Sequence, residues 1–277
     1  MQNNESVNLT AVTSTAEKKS AKKLEKEKIG FIISTVTVIA FLILWELASR
    51  NSWIPPLFIS SPTAIAKAAF LMVQDPQFWH HMKISGYEFG VGFLLAVAIG
   101  VPMGVFSGWN YYFYSLVNPF ISGLYVTPKV SLLPVILIAF GIGTASKIAI
   151  VFLMAFFPIV MSAQKAMKTL DQNLIKAARV FTATQLQIFK TVALPSTVPF
   201  LLNGIRLGIG QGLIGVVVGE MYAATAGIGF QLTSYGQNLQ TDRMFVGVIV
   251  ITVTGILLTG ILGWIEKRFS SWIPEHD

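Results

Sequence analysis

Apolar residues along this chain gather into long runs, and the polar residues fall in the gaps between them. The runs lie at about 29–49, 87–107, 117–140, 146–164, 198–221 and 244–265. Each falls within the roughly 17–25 residues that a helix needs to cross ~30 Å of hydrocarbon. Only helices or closed barrels satisfy their own backbone in such a layer. The pattern predicts an all-α membrane protein with six transmembrane helices. Residues 1–28 are polar and carry Lys18, Lys19, Lys22, Lys23, Lys26 and Lys28, with too little apolar surface to build a core, so a disordered tail is expected ahead of a membrane domain at 29–277. The apolar stretch from Ile29 to Ala48 is of spanning length, longer than the core of a cleaved signal peptide.

The polar gap at 165–197 has a pattern of its own. Asp171 is a helix N-cap, and Leu174, Ala178 and Phe181 follow at i, i+4 and i+7 as one narrow apolar stripe. Thr182 and Gln185 have the spacing of a capping box, which predicts a second short helix running to about Lys190, before Pro195 and Pro199. Two short helices with one apolar stripe and basic flanks cannot form a core alone. The elbow requires a partner, or the anionic headgroups of a membrane surface. On the other side of the bundle, residues 63–74 read as a short surface helix after Ser61-Pro62.

Composition agrees with the pattern. Of 277 residues, 53% are hydrophobic and 12% charged, and mean hydropathy is +0.65, outside soluble usage. A net charge of +7 raises the question of nucleic acid, but the basic residues flank apolar runs and form no stripe interleaved with stacking aromatics. Their placement sets an orientation instead. Lysines and arginines crowd the tail, the loop (Lys165, Lys168, Lys176, Arg179, Lys190) and the C-terminus (Lys267, Arg268), against Arg50, Lys67, Lys83, Lys147 and Arg243 on the opposite side. The positive-inside rule places both termini and the loop in the cytosol. Trp53 and Trp79 suit one interfacial belt, and Trp109 with Tyr111, Tyr112 and Tyr114 suits the other.

Polar and small residues within the runs mark the places where helices meet something other than lipid. Gly86, Gly90, Gly100, Gly104 and Gly108 recur along the second run and read as helix packing. In the third run Pro128 and Pro134 interrupt the helix beside Lys129, and an intramembrane cation is either functional or snorkels to the interface. The fifth run carries Gly204, Gly208 and Gly212 on one face, suited to packing against a symmetry mate. Its Asn203, Arg206, Gln211 and Glu220 face a translocation path or pair with one another. Gly210-x-Gly212-x-x-Gly215 copies a dinucleotide motif, but no strand precedes it.

The residues Lys176-Ala177-Ala178, Thr182, Leu194-Pro195, Pro199, Gly204, Arg206, Gly210 and Glu220 together resemble the EAA loop and following helix of ABC-importer permeases, the binding-protein-dependent inner-membrane components. The similar branch is that of nitrate, sulfonates and taurine. Pro128-Lys129-x-Ser131-x-x-Pro134 with Phe140-Gly141-Ile142-Gly143, and Glu220-Met221 with Gly227-Ile228-Gly229, extend the likeness over about 50–270. Two positions depart from it: the family glutamate is Lys176 and the family glycine is Thr182. A further departure is Glu88, near which the family often has a basic residue.

The resemblance implies a type I importer fold with six spans and a cytosolic coupling helix that docks in a groove on an ATPase. It assigns Asp171, Leu174, Lys176, Ala177, Ala178, Phe181 and Thr182 to ATPase coupling. It implies a homodimer around a central pore, an ABC ATPase dimer holding MgATP, a periplasmic or lipid-anchored binding protein, and a bacterial inner membrane. The expected cargo is a small anion such as nitrate, a sulfonate, taurine or bicarbonate; a neutral heterocyclic vitamin or precursor is the alternative within the same branch. An ion-coupled secondary transporter would show inverted repeats, and only one broken stretch is visible. A membrane scaffold with no pore would leave the intramembrane polar groups without a task. The chain has no cysteine and no G-x-x-x-x-G-K-[ST], H-E-x-x-H or G-x-S-x-G, so no catalytic residue, metal site or cofactor of its own is expected.

Overall fold

The structure, a computed structural model, describes the backbone of residues 3–269 apart from 52, 54, 56 and 57, and the side chains of Lys26 and of 28–268 outside that gap. Its elements in order are α1 (Asn3–Arg50), α2 (Pro62–Gln74), α3 (Pro76–Trp109), α4 (Tyr111–Val126), a 3₁₀ turn (Lys129–Leu132), α5 (Leu133–Phe140), α6 (Thr144–Lys168), α7 (Gln172–Val180), α8 (Gln185–Ile188), a π turn (Phe189–Ala193), α9 (Leu194–Ala223), α10 (Ile228–Gln237) and α11 (Thr241–Phe269). There is no strand among the described residues.

The chain divides into two compact units, one ending at Ala66 and the other starting at Lys67. In the first, α1 runs as one unbroken helix from Asn3 to Arg50. Alanine, glutamate and lysine dominate residues 16–28, and such residues propagate a helix already nucleated by the span behind them. At the far end of α1, Glu46 accepts from the Thr63 amide at 3.0 Å and hydroxyl at 2.7 Å and pairs with Arg50 at 2.5 Å. These bonds seat the first turn of α2, a carboxylate at a helix N-terminus.

The second unit is organised around α6. On one side lies α3: a Cβ added at Gly104 would stand 2.5 Å from the Ala163 Cβ, one at Gly108 2.5 Å from the Met167 Cβ, and Gly92 abuts Val151. The numbering difference is constant, so α3 and α6 are parallel. On the other side lies α9. Gly204 meets Ser162, Gly208 meets Ile159, Gly212 meets Ala155 and Gly219 meets Lys147, so those two helices are antiparallel. Small residues let both neighbours approach the α6 backbone closely, the packing that apolar helices in lipid depend on. Gly86 and Gly90, expected to join this packing, meet nothing within 4 Å. Gly255 faces Leu213 and Glu266 meets Arg206, so α11 is antiparallel to α9.

Five helices are long and apolar enough to cross a membrane, and a sixth crossing is the pair α4 and Lys129–Phe140, bent by 96°. The bend falls at the break that the sequence places beside Pro128 and Lys129. Thr127 is extended before Pro128, as a residue preceding proline prefers, and Pro134 is not mid-helix but in the first turn of α5, where a missing amide costs nothing. Because α3 and α6 are parallel, the bent segment between them must bring the chain back across the bundle. Six crossings result.

Candidate functional site

At one end of α6 the chain turns into the elbow. Asp171 caps α7, accepting from the Asn173 amide at 2.8 Å, as its sequence position predicts. Ile175 is buried with Met167, Leu170 and Ile188, and Ala178 packs half-buried against that cluster. These side chains anchor the elbow to its own subunit. Leu174, Val180, Phe181 and Leu186 stand 51%, 80%, 83% and 62% exposed, with Lys176, Ala177 and Thr182 also exposed. The stripe of Leu174, Ala178 and Phe181 is therefore divided, its middle residue turned inward. An exposed apolar cluster of this kind on a polar loop marks a docking face.

The turn between α7 and α8 also differs from the capping box expected at Thr182. Thr182 has φ +57°. Its amide donates to the Arg179 carbonyl at 2.9 Å and the Ala183 amide to that of Ala178 at 3.1 Å, the pair of bonds that closes a helix in a Schellman motif. A threonine holds the left-handed position for which glycine is the unstrained choice. The capping box lies two residues on: the Gln187 amide donates to Thr184 Oγ1 at 3.4 Å and the Thr184 amide to Gln187 Oε1 at 2.7 Å.

Halfway along the bundle, the ammonium of Lys129 donates to the Tyr125 carbonyl at 3.0 Å. It lies over the rings of Tyr125 and Phe157, 5.2 and 5.4 Å from their centroids, both within cation–π range. Phe157 lies one residue past the middle of α6. Lys129 thus stands beside the middle of α6. Asn203 and Gln211 are exposed on one side of α9, along with Leu207, Gly210 and Ile214. Arg206 is not free: its Nη2 lies 2.5 Å from Glu266 Oε2, joining α9 to α11.

At the end of α6 remote from the elbow, the polar residues are interior. Lys147 is not a loop charge; its Nζ lies 2.6 Å from Glu88 Oε1, with side chains 6% and 0% exposed. Glu220 is also fully buried. Its Oε1 accepts from the Ser85 hydroxyl at 2.6 Å and its Oε2 from the Gly229 amide at 2.7 Å. In this structure both of its oxygens are engaged within its own subunit. The glycine stripe Gly204, Gly208 and Gly212 is likewise spent inside the subunit, against α6 rather than against a second copy. Sequence reasoning missed Ser85 and His81 as partners of this region. The available signal was position, since Ser85 precedes Glu88 by one turn of α3.

No cluster of three or more metal-ligating side chains exists among the described residues. Residues 100–271 match the family of binding-protein-dependent transport system inner membrane components. The chain is 32% identical to the taurine transport system permease protein TauC of Escherichia coli K12, covering 88% of this chain and 90% of that protein. It is 26% identical to the aliphatic sulfonates transport permease protein SsuC of Bacillus subtilis 168, over 92% and 93%. To the nitrate import permease protein NrtB of Leptolyngbya laminosa it is 26% identical, over 88% and 89%. In fold it resembles a chain of the inward-facing MetNI methionine ABC transporter, with TM-score 0.62 and 21% identity over 70% of this chain and 98% of that one. Six crossings, a glycine-packed core and an exposed elbow agree with that likeness, and this chain belongs to the binding-protein-dependent permeases, the inner-membrane subunits of ABC importers.

Proposed function

We propose that this permease carries a small oxyanion or sulfonate, of the class of nitrate, taurine, an aliphatic sulfonate or bicarbonate, along a path between two copies of the chain. A separate ABC ATPase dimer, which holds the MgATP, grips the elbow from the cytosol. A periplasmic or lipid-anchored binding protein delivers cargo at the opposite end, and both termini are cytosolic.

One observation carries the anionic cargo: beside the middle of α6, the Lys129 ammonium enters no ion pair among the described residues. A cation held within hydrocarbon by two ring faces and one carbonyl keeps donor capacity for a passing anion. The relatives named for taurine, aliphatic sulfonates and nitrate share a negative group rich in acceptor oxygens. Arg206, paired with Glu266, is the weaker candidate for contact with cargo. Asn203 and Gln211, on a face of α9 that its own subunit leaves open, are the residues that a second copy or the path itself would meet.

The elbow supports the ATPase. Leu174, Val180 and Phe181 offer a compact apolar anchor, and Lys176 offers a positive charge where an acidic residue in the partner groove would complement it. The test is uptake into proteoliposomes holding the chain, its ATPase and its binding protein. Lys129→Met is expected to lower anion uptake about tenfold or more, the scale of one charge-assisted hydrogen bond, while ATP hydrolysis continues. Unchanged uptake would remove the anion reading and favour a neutral heterocycle.

A further inference from the structure

The N-terminus of α10 has an unusual feature: its first three amides are each satisfied by a side chain from another helix. The Gly227 amide donates to His81 Nδ1 at 2.9 Å, the Ile228 amide to Ser85 Oγ at 2.8 Å, and the Gly229 amide to Glu220 Oε2 at 2.7 Å. The Ser85 hydroxyl itself donates to Glu220 Oε1 at 2.6 Å and so ties the acceptors together. These amides are the orphans every helix start leaves behind, and here α3 and α9 supply every acceptor. The glycines are required by the same arrangement. Gly227 has φ +117°, and a Cβ there would overlap the Glu220 carboxylate; a Cβ on Gly229 would meet the Val217 carbonyl and the Glu220 Cβ.

We infer that His81, Ser85 and Glu220 form a clamp that makes α10 move with α3 and α9, and that they are positioning residues for the transport cycle. The connection to the driven end is continuous. Met167 and Leu170 at the end of α6 pack on the elbow residues Ile175 and Ile188, α3 from Gly92 to Gly108 and α9 from Gly204 to Gly219 pack on α6 through glycines, and the clamp passes their displacement to α10. Segment 224–240 then opens and closes in step with the elbow. The inference rests on the importer reading only for which motion is driven; the clamp itself is a local contact.

One of the three bonds responds to protons. His81 accepts through Nδ1 only while that nitrogen is unprotonated, and a second N–H placed against the Gly227 amide would break the bond. The groups around it are His80 on the same helix, with ring centroids 5.8 Å apart, Asp75, whose charge reaches it, and Phe230 of α10, stacked at 6.1 Å. Glu220 lies across the turn on α9. Acidification at this face is therefore expected to loosen α10.

The test uses the chain with its ATPase and binding protein in proteoliposomes, with uptake and ATP hydrolysis measured together. Ser85→Ala and His81→Ala are expected to lower uptake per ATP about tenfold, the worth of one or two lost hydrogen bonds, with basal hydrolysis unchanged. His81→Gln, whose amide oxygen can accept the same bond, should restore uptake and abolish its loss on acidification at this face. Uptake per ATP unchanged in both alanine variants would overturn the inference, as would uptake and basal hydrolysis falling in parallel, or glutamine behaving as alanine. Amide hydrogen exchange separates this from failure of the importer reading. Exchange at Ile228 and Gly229 should quicken in Ser85→Ala whether or not the complex imports, and unaltered exchange there sinks the clamp alone.

Discussion

Lys147 Nζ lies 2.6 Å from Glu88 Oε1, so α6 and α3 are joined by a charge pair inside the bundle, where they run parallel. The second Glu88 oxygen meets no donor among the described residues. Removing one partner of such a pair strands a buried charge and costs about 3–5 kcal/mol, whereas replacing both with apolar or neutral groups is far less harmful. Lys147→Met alone should therefore lower the melting temperature of the detergent-solubilised complex sharply. Adding Glu88→Gln should recover most of the loss. Equal melting of the single and double variants would show that the pair contributes nothing.

Glycines on α9 separate intramolecular packing from dimerisation. A Cβ on Gly204 would overlap that of Ser162, whereas one on Gly210 would meet nothing within 4 Å. Gly204→Val should destabilise the subunit by at least about 1–3 kcal/mol through overpacking. Gly210→Ala should leave the subunit's own fold intact or firmer by up to about 1 kcal/mol, through helix propensity. Thermal unfolding with size-exclusion profiles checks both. Loss of the dimer in Gly204→Val without loss of subunit stability would return that stripe to the dimer interface.

Strain at the elbow is also measurable. With Thr182 at φ +57°, Thr182→Gly should relieve about 1 kcal/mol of left-handed strain, and hydrogen exchange over 172–188 should slow. Thr184→Ala should act in the opposite sense by about 1 kcal/mol, through loss of its cap. Faster exchange in Thr182→Gly would mean that the hydroxyl, not the backbone, holds this turn.

Phe181 and Ile175 should fail in different ways. Phe181 is 83% exposed and Ile175 8%. Phe181→Ala should weaken ATPase binding by about tenfold or more, as truncation of an aromatic anchor does, with the melting of the free permease unchanged. Ile175→Ala should lower the stability of the free permease by about 2–5 kcal/mol. Pull-down of the ATPase and thermal unfolding of the permease alone distinguish the two. A Phe181 variant that keeps full ATPase affinity would exclude that residue from the contact.

Several features were open to reading in one dimension. Spanning runs are local sums of hydropathy, and Asp171 caps α7 because a cap depends on residues two or three away. The bend near Pro128 was visible as a broken stretch, although its 96° angle was not. Thr182 stands where the family has glycine, but the capping box lies two residues beyond it, at Thr184. Both Thr182–Gln185 and Thr184–Gln187 have capping spacing, and only the left-handed backbone at Thr182 decides between them.

What the amino-acid order determines by itself is the class of this protein: helices of membrane length, the charge asymmetry that orients them, and a short amphipathic elbow with a family signature. The pairing of polar groups belongs to the tertiary structure. A helix apolar on every side carries almost no moment, so its sequence does not say whether a glycine faces lipid, a neighbouring helix or a second copy. That is why Gly204, Gly208 and Gly212 turned toward α6, why Arg206 found Glu266, and why Ser85, Glu88, Lys147 and Glu220 meet where four helices converge. Those contacts join residues more than 40 positions apart, apart from Ser85 and Glu88 on one turn of α3, and only packing brings such distant groups together.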